Sequence, residues 1–357
     1  MKYTQWLNIW LQNYIKPSSK ERTYIRYEQL IRTHIAPKIG EIDINDLTPI
    51  VLQSFVTELL NNGNLRTGKE LSPNFVNTVI SVVQNSLKTA NLVGVAAEYS
   101  ANKIKRPKTK EKQVDCFSVS EQKKIENYVL NSGKDKLFGI VLCLYTGLRI
   151  GELLALTWGD IDFGKGLLFV SKTCHDGNDG AQHIRIIDSP KTVNSRRVIP
   201  LPKQILPLLK GVKKRSECEY VVADGDKPVF VRSYQRTFEL LLKKLHIPHK
   251  GFHSLRHTFA TRAIECGIDV KTLAELLGHK NATITLTKQC CKLKKFRFIT
   301  QSKKAHNKNK AKVEINQLWL YYYLQVFSNN FSRLLPIFFV PPILAEKAIY
   351  SEGLKNY

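Results

Sequence analysis

Three separated segments carry residue types suited to holding an anion and moving protons. In TGLRIGELLALTWGDID, Arg149 follows a glycine expected to end a helix, and Glu152 lies one turn further on. SPKTVNSRRVIPLP puts Lys191 at the tip of a β-hairpin turn. FHSLRHTFAT sets His253 and Arg256 at i and i+3 on one helix face, and LLGHK places His279 directly after Gly278. Two guanidiniums stay charged at physiological pH and can clamp a phosphate through paired N–H donors, while Lys and His can pass protons. Each segment alone has a plainer reading. Arg149 can simply pair with Glu152; Lys191, Arg196 and Arg197 can form a solvated hairpin tip; His253 and His257 can cap a helix. Singly the plain readings are the stronger. Jointly they leave the order of the segments unexplained.

The elements that must position these residues fall into two groups. Residues 1–107 read as a helical domain. Trp6, Ile9, Trp10 and Tyr14 recur at helical spacing. A second helix is expected to open at Ser18 or Ser19 and close before Pro37, a third to end at Asn62 with Gly63 as its cap, and a fourth to start at Pro73. Residues 108–115 are charged and poor in apolar side chains, and read as a linker. From 116 a second domain begins. Ser118 and Glu121 make a capping box, KDKLFGIVLCLYTG is an apolar helix ending at Gly147, and RIGELLALTW is a short helix. GLLFVSKT, HIRIID and RRVIPLP read as one small antiparallel sheet, after which helices resume in SYQRTFELLLKKLH, HSLRHTFATRAIECG and DVKTLAELLG. The fold class is therefore mainly α with a small antiparallel β-sheet, an α+β arrangement.

Composition narrows the partners. The 357 residues hold 55 Lys plus Arg against 30 Asp plus Glu, a formal net charge of +25, which attracts a polyanion. The seven cysteines are odd in number and never spaced as CxxC, which argues against a disulfide framework and a zinc site and fits a reducing cytoplasm. The amino-terminal residues are too polar for a signal peptide.

The ordered segments resemble the catalytic domain of the tyrosine recombinases, the phage integrase family, and residues 1–107 resemble that family's helical core-binding domain. The resemblance covers roughly residues 1 to 288 and rests on an Arg in a GLRxGE context, a hairpin Lys, an H-x-x-R helix and a His in LGH. It implies a site-specific recombinase of a phage or other mobile element that cuts and rejoins DNA by phosphoryl transfer without metal or nucleotide. Arg149 and Arg256 would hold the phosphate, Lys191 would protonate the leaving oxygen, and His253 would shuttle the nucleophile's proton. His279 would donate a hydrogen bond, and Glu152 would orient a neighbour. The implied partners are double-stranded DNA in the bacterial cytoplasm, three further copies of the chain in a DNA-bound tetramer, and DNA-bending or excision helper proteins.

The pattern breaks at its end. The family's nucleophilic tyrosine lies nine or ten residues after the LGH histidine, and these positions hold Lys288 and Gln289, with Cys291 where a histidine usually follows. A Gln amide cannot form the phosphodiester-linked intermediate, and the Cys290 or Cys291 sulfur is poorly matched to phosphorus. The next tyrosines are Tyr321, Tyr322 and Tyr323. Residues 292–357 run from a Lys-rich stretch into an apolar one interrupted by Asn329, Asn330, Arg333 and three prolines, so no membrane span is expected. Their wealth of Lys, Asn, Ile, Phe and Tyr is what A/T-rich DNA read out of frame would encode, which suggests a frameshift near codon 288; the competing reading is an evolved basic and hydrophobic interaction tail. Two other functions stay open: a catalytically inactive DNA-binding protein derived from an integrase, and a metal-dependent nuclease or transposase using Glu152, Asp160 and Asp162.

Overall fold

Aromatic residues at the start of the chain organise the first of two compact units, which divide between Lys112 and Gln113. The computed structural model describes residues 1–64, 67–97, 100–109, 114–180, 182–188 and 196–279. Helix α1 (Tyr3–Trp10) buries Tyr3, Trp6, Leu7 and Trp10. Their polar atoms are satisfied on a later helix: Trp6 Nε1 donates to Ser86 O at 3.0 Å, Trp10 Nε1 to Thr89 Oγ1 at 3.2 Å, and Tyr3 Oη lies 2.6 Å from Ser86 Oγ. The expected stripe is half right. Ile9 is exposed on α1, and Tyr14 is exposed because a π-helical turn at Leu11–Ile15 adds a residue and turns Ile15 inward instead.

The same device alters the second helix. Lys20, rather than Ser18 or Ser19, caps α2 (Glu21–Leu30), and Ser18 Oγ donates back to Tyr14 O and closes the preceding helix. Pro37 does not stop the chain. A π-helical turn at Ile31–Ile35 leads into α3 (Ala36–Ile39), where Pro37 sits in the first turn and its missing N–H costs nothing. Helix α4 (Pro49–Asn62) ends at Asn62 as expected and α5 (Pro73–Leu92) begins as expected, and Thr48 and Ser72 cap their starts. Gly63 ends α4 with right-handed geometry, and a Cβ there would lie 2.5 Å from Leu71 Cδ1, so close packing rather than a left-handed turn selects glycine. Beyond α5, Ile104 is buried in this core, and Lys105 N donates to Gln53 Oε1 at 2.9 Å.

In the second unit, Ser118 and Glu121 form the expected capping box at the start of α6 (Val119–Asn131). Helix α7 (Phe138–Thr146) is buried along its whole length and is the centre of the core. The expected RIGELLALTW helix is only α8 (Ile150–Leu154), which Ala155 closes. The β-rich runs form more than one sheet. Strands β1 (Ile161–Asp162) and β2 (Leu167–Val170) stand apart from the hairpin β3 (Thr173–Asp179) and β4 (Gln182–Asp188). Strand β5 (Arg197–Pro200) returns to β2, antiparallel, with Val170 opposite Arg197 and Leu167 opposite Pro200. Strand structure is interrupted at Ser171–Lys172, and β3 then lies against α8, where a Cβ on Gly151 would be 2.6 Å from Cys174 O. Helix α9 (Ile205–Arg215), the short hairpin β6 (Ala223–Asp224) and β7 (Lys227–Pro228), then α10 (Val231–Lys244), α11 (His253–Glu265) and α12 (Val270–Leu277) complete the described part. Among the described residues no helix is long and apolar enough to cross a membrane.

Gly147 ends α7 at φ 65°, and a Cβ there would lie 2.6 Å from Phe259 Cδ1 and 2.8 Å from Leu277 Cδ2. Left-handed strain and overpacking then act together, so Gly147→Ala is expected to lower stability by about 2–4 kcal/mol in urea unfolding. A loss below about 0.5 kcal/mol would contradict this packing.

Candidate active site

Each site residue in the described part is placed by a helix end or a strand start. Gly147 reverses the chain after α7, which puts Arg149 at the N-cap of α8 and Glu152 in its first turn. Glu152 accepts from Arg149 N at 2.9 Å and from Arg149 Nη1 at 2.7 Å. Arg256, in the first turn of α11, is 1% exposed. Its Nη1 donates to Gly147 O at 2.8 Å, and its Nη2 to Leu277 O at 2.5 Å and to His279 Nε2 at 2.8 Å. Gly278, at φ 65°, turns the chain out of α12 so that His279 meets that guanidinium. His253 opens α11, and the ring of His257 packs against its ring edge-on at 4.6 Å. His257 therefore lies inside the helix and is not its cap. Lys191 and Gln289 lie outside the described residues.

Arg197 is the residue that sequence reasoning missed. It is not a solvated hairpin-tip residue: its side chain is 5% exposed and grips Glu152 with Nη1–Oε1 at 3.0 Å and Nη2–Oε2 at 2.8 Å. Its Nε donates to Leu276 O at 2.6 Å. A signal was present, since the period of two in RRVIPLP puts Arg197 on the face shared by Ile199 and Leu201, both buried.

Electrostatics follow from three guanidiniums facing one carboxylate. Burial favours the neutral acid at Glu152, but the hydrogen bonds and charge of Arg197, with the charges of Arg149 and Arg256, outweigh it and hold the carboxyl at about 2. Burial, then the charges of His257, Arg256 and Arg149, lowers His253 to about 4. Burial and the charges of Arg256, Arg149, Arg197 and His253 lower His279 to about 3. Both imidazoles are thus neutral at physiological pH. Since a guanidinium can only donate, His279 Nε2 accepts from Arg256. Arg256 Nε is buried and makes no hydrogen bond among the described residues. Among the described residues the three guanidiniums outnumber the one carboxylate and Arg256 Nε is a buried donor without a hydrogen bond, which suits a monoanion such as a phosphodiester.

The acids of the metal-dependent reading are dispersed. Asp160 accepts from Thr157 N at 2.9 Å and pairs with Lys172 at 2.9 Å, Asp162 accepts from Gly164 N at 2.9 Å, and Glu152 is taken by arginines. No group of three or more His, Cys, Asp or Glu among the described residues is placed to hold a metal ion.

Comparison with known proteins agrees with this geometry. The phage integrase family matches residues 117–288, and the phage integrase N-terminal SAM-like domain matches residues 2–60. A XerC-like tyrosine recombinase of Caldanaerobacter subterraneus subsp. tengcongensis is 30% identical over 311 residues, spanning 78% of this chain and 76% of that protein. This chain belongs to the phage integrase family of tyrosine recombinases. The ICEBs1 integrase of Bacillus subtilis is a further family relative, 26% identical over 285 residues, covering 75% of this chain and 73% of the relative. The fold is similar to that of the Tn1549 transposon integrase in complex with a circular intermediate DNA, with TM-score 0.70, 20% identity and coverage of 89% and 99% of the two chains. It is also similar to the lambda integrase tetramer bound to a Holliday junction, with TM-score 0.60, 21% identity and coverage of 80% and 76%.

The depressed histidines give a pH dependence. Each moves below its ordinary value of 6.5, so the unfolded chain binds more protons, and this contribution is present above about 6.5 and lost as pH falls towards about 4 for His253 and about 3 for His279. Glu126, raised by burial to about 7, works in the opposite sense, its contribution being lost as pH rises, so the measurement must be differential. Between pH 7 and pH 5 the native chain should lose more stability in urea than His279→Gln does. Equal losses would show that His279 is not held neutral in the fold.

Proposed function

We propose that this chain is a site-specific DNA recombinase of a mobile element, with a metal-free site that holds the scissile phosphodiester between Arg149 and Arg256. The observation that carries the reading is that Arg149 grips buried Glu152 while Arg256, whose charge acts on the same carboxylate, grips His279, with Arg256 Nε making no hydrogen bond among the described residues. A bound phosphate would supply the negative charge that the pocket lacks. It would also raise the proton affinity of His253 and His279, so that binding takes up protons and His279 changes from acceptor to donor. Lys191, between β4 and β5 in the sequence, would protonate the 5′ oxygen as it leaves, and His253 would take the nucleophile's proton. Such proton transfers are typically worth ~10²–10⁴ in rate. The proposed partners are duplex DNA at recombination sites, three further copies in a tetramer, and helper proteins that bend DNA.

Gln289 favours a second reading, in which the chain occupies recombination sites without cutting them. Strand cleavage needs an oxygen to attack phosphorus, and position 289 offers an amide. The deciding experiment compares the native chain with Gln289→Tyr on nicked junction DNA from the encoding element, scored as a protein–DNA adduct that survives denaturant. An adduct from the variant alone supports a phosphate site complete except for its nucleophile, and makes the native chain a binder. An adduct from both would sink the second reading and direct mapping to another residue, Tyr321, Tyr322 and Tyr323 first. If both bind and neither reacts, the proposed cutting machinery is not assembled in this chain.

A further inference from the structure

We propose that Arg197 is a positioning residue for the phosphate site: by occupying both oxygens of Glu152 it keeps that carboxylate from drawing Arg149 and Arg256 away from the anion. This rests on the reading that a phosphodiester lies between those two arginines. The geometry is a fork on a fork, with Arg197 Nη1 and Nη2 on Oε1 and Oε2 at 3.0 and 2.8 Å. The two side chains are 5% and 6% exposed, so bulk water does not neutralise Glu152 in its place. Arg149 keeps one guanidinium bond to Glu152 and a side chain 37% exposed, while Arg256 makes no hydrogen bond to Glu152 at all.

Without Arg197, the cations that act on this buried carboxylate among the described residues are the two that the phosphate needs. A stripped buried charge is strongly unfavourable, so Glu152 would recruit them, and the pocket would turn from an anion site into an internal ion pair. Arg197 holds a second part of the site as well. Its Nε bond to Leu276 O ties β5 to the last turn of α12, three residues before His279. Its backbone is fixed opposite Val170 in the sheet. Lysine cannot replace it, because one ammonium cannot span both oxygens and the Leu276 carbonyl in fixed planar geometry.

The test uses the full native chain and junction duplexes of the encoding element in which successive single phosphates are replaced by neutral methylphosphonate. Native protein is expected to lose affinity roughly tenfold or more at one phosphate, the loss typical of a charge-assisted hydrogen bond. Arg197→Met should bind all duplexes alike, its sensitivity at that phosphate gone. Adding Glu152→Gln to Arg197→Met removes the competing carboxylate and should restore the sensitivity, which a merely structural role for Arg197 would not do. Arg197→Lys should stay insensitive. If Arg197→Met is unfolded by circular dichroism, the double variant decides, since it removes both buried charges together. A folded double variant without the sensitivity, or a folded Arg197→Met that keeps it, overturns the proposal. A native chain with no sensitive phosphate overturns the phosphate-site reading itself, and this inference with it.

Discussion

A carboxylate at 6% exposure must be compensated or neutralised, and the second unit is arranged around how Glu152 is compensated. Its oxygens receive donors from two segments distant in sequence: the start of α8 through Arg149, and the start of β5 through Arg197. Through Arg197, β5 also reaches α12. Glu152 therefore fixes helix, sheet and helix in one place, and the order of the site residues in the sequence becomes an order in space. A buried ion pair is weak evidence for net stability, and its value here lies in the single geometry it imposes.

Around that anchor the histidines are held neutral by burial first and then by the charges of the arginines that would grip a phosphate. An anion bound in such a pocket would raise the proton affinity of both imidazoles. The link between charge and protonation is direct, because His279 shares Arg256 Nη2 with a backbone carbonyl and any anion on that guanidinium changes what His279 meets.

Much of this was legible in the sequence where local rules act alone. The Ser118–Glu121 capping box, the left-handed Gly147 and Gly278, and the α11 face shared by His253 and Arg256 each depend on a few neighbouring residues. The misses arose where a distant partner decides. Arg197 looked solvated because Glu152 lies 45 positions away. The π-helical turns that moved Tyr14 outward and absorbed Pro37 answer to core packing, which helical spacing does not encode. One expected sheet is divided, and β3 packs on α8, a contact that no strand pattern announces. Lys191 and Gln289, where the chemistry would act, lie outside the described residues, so the sequence alone speaks for them.

Arg256 is steadied by two carbonyls of one kind. Gly147 O and Leu277 O stand at the carboxyl ends of α7 and α12, where the aligned peptide dipoles leave about half a negative charge each. A helix end attracts a cation without cancelling it, since the partial charge belongs to the backbone and has no proton to gain or lose. The guanidinium is thus oriented and retained while its full formal charge stays available. Because these bonds are buried, salt that weakens long-range attraction to a polyanion leaves the hold on Arg256 intact. Capture of a strand and readiness to grip one phosphate therefore answer to different conditions, the first to ionic strength and the second to the fold.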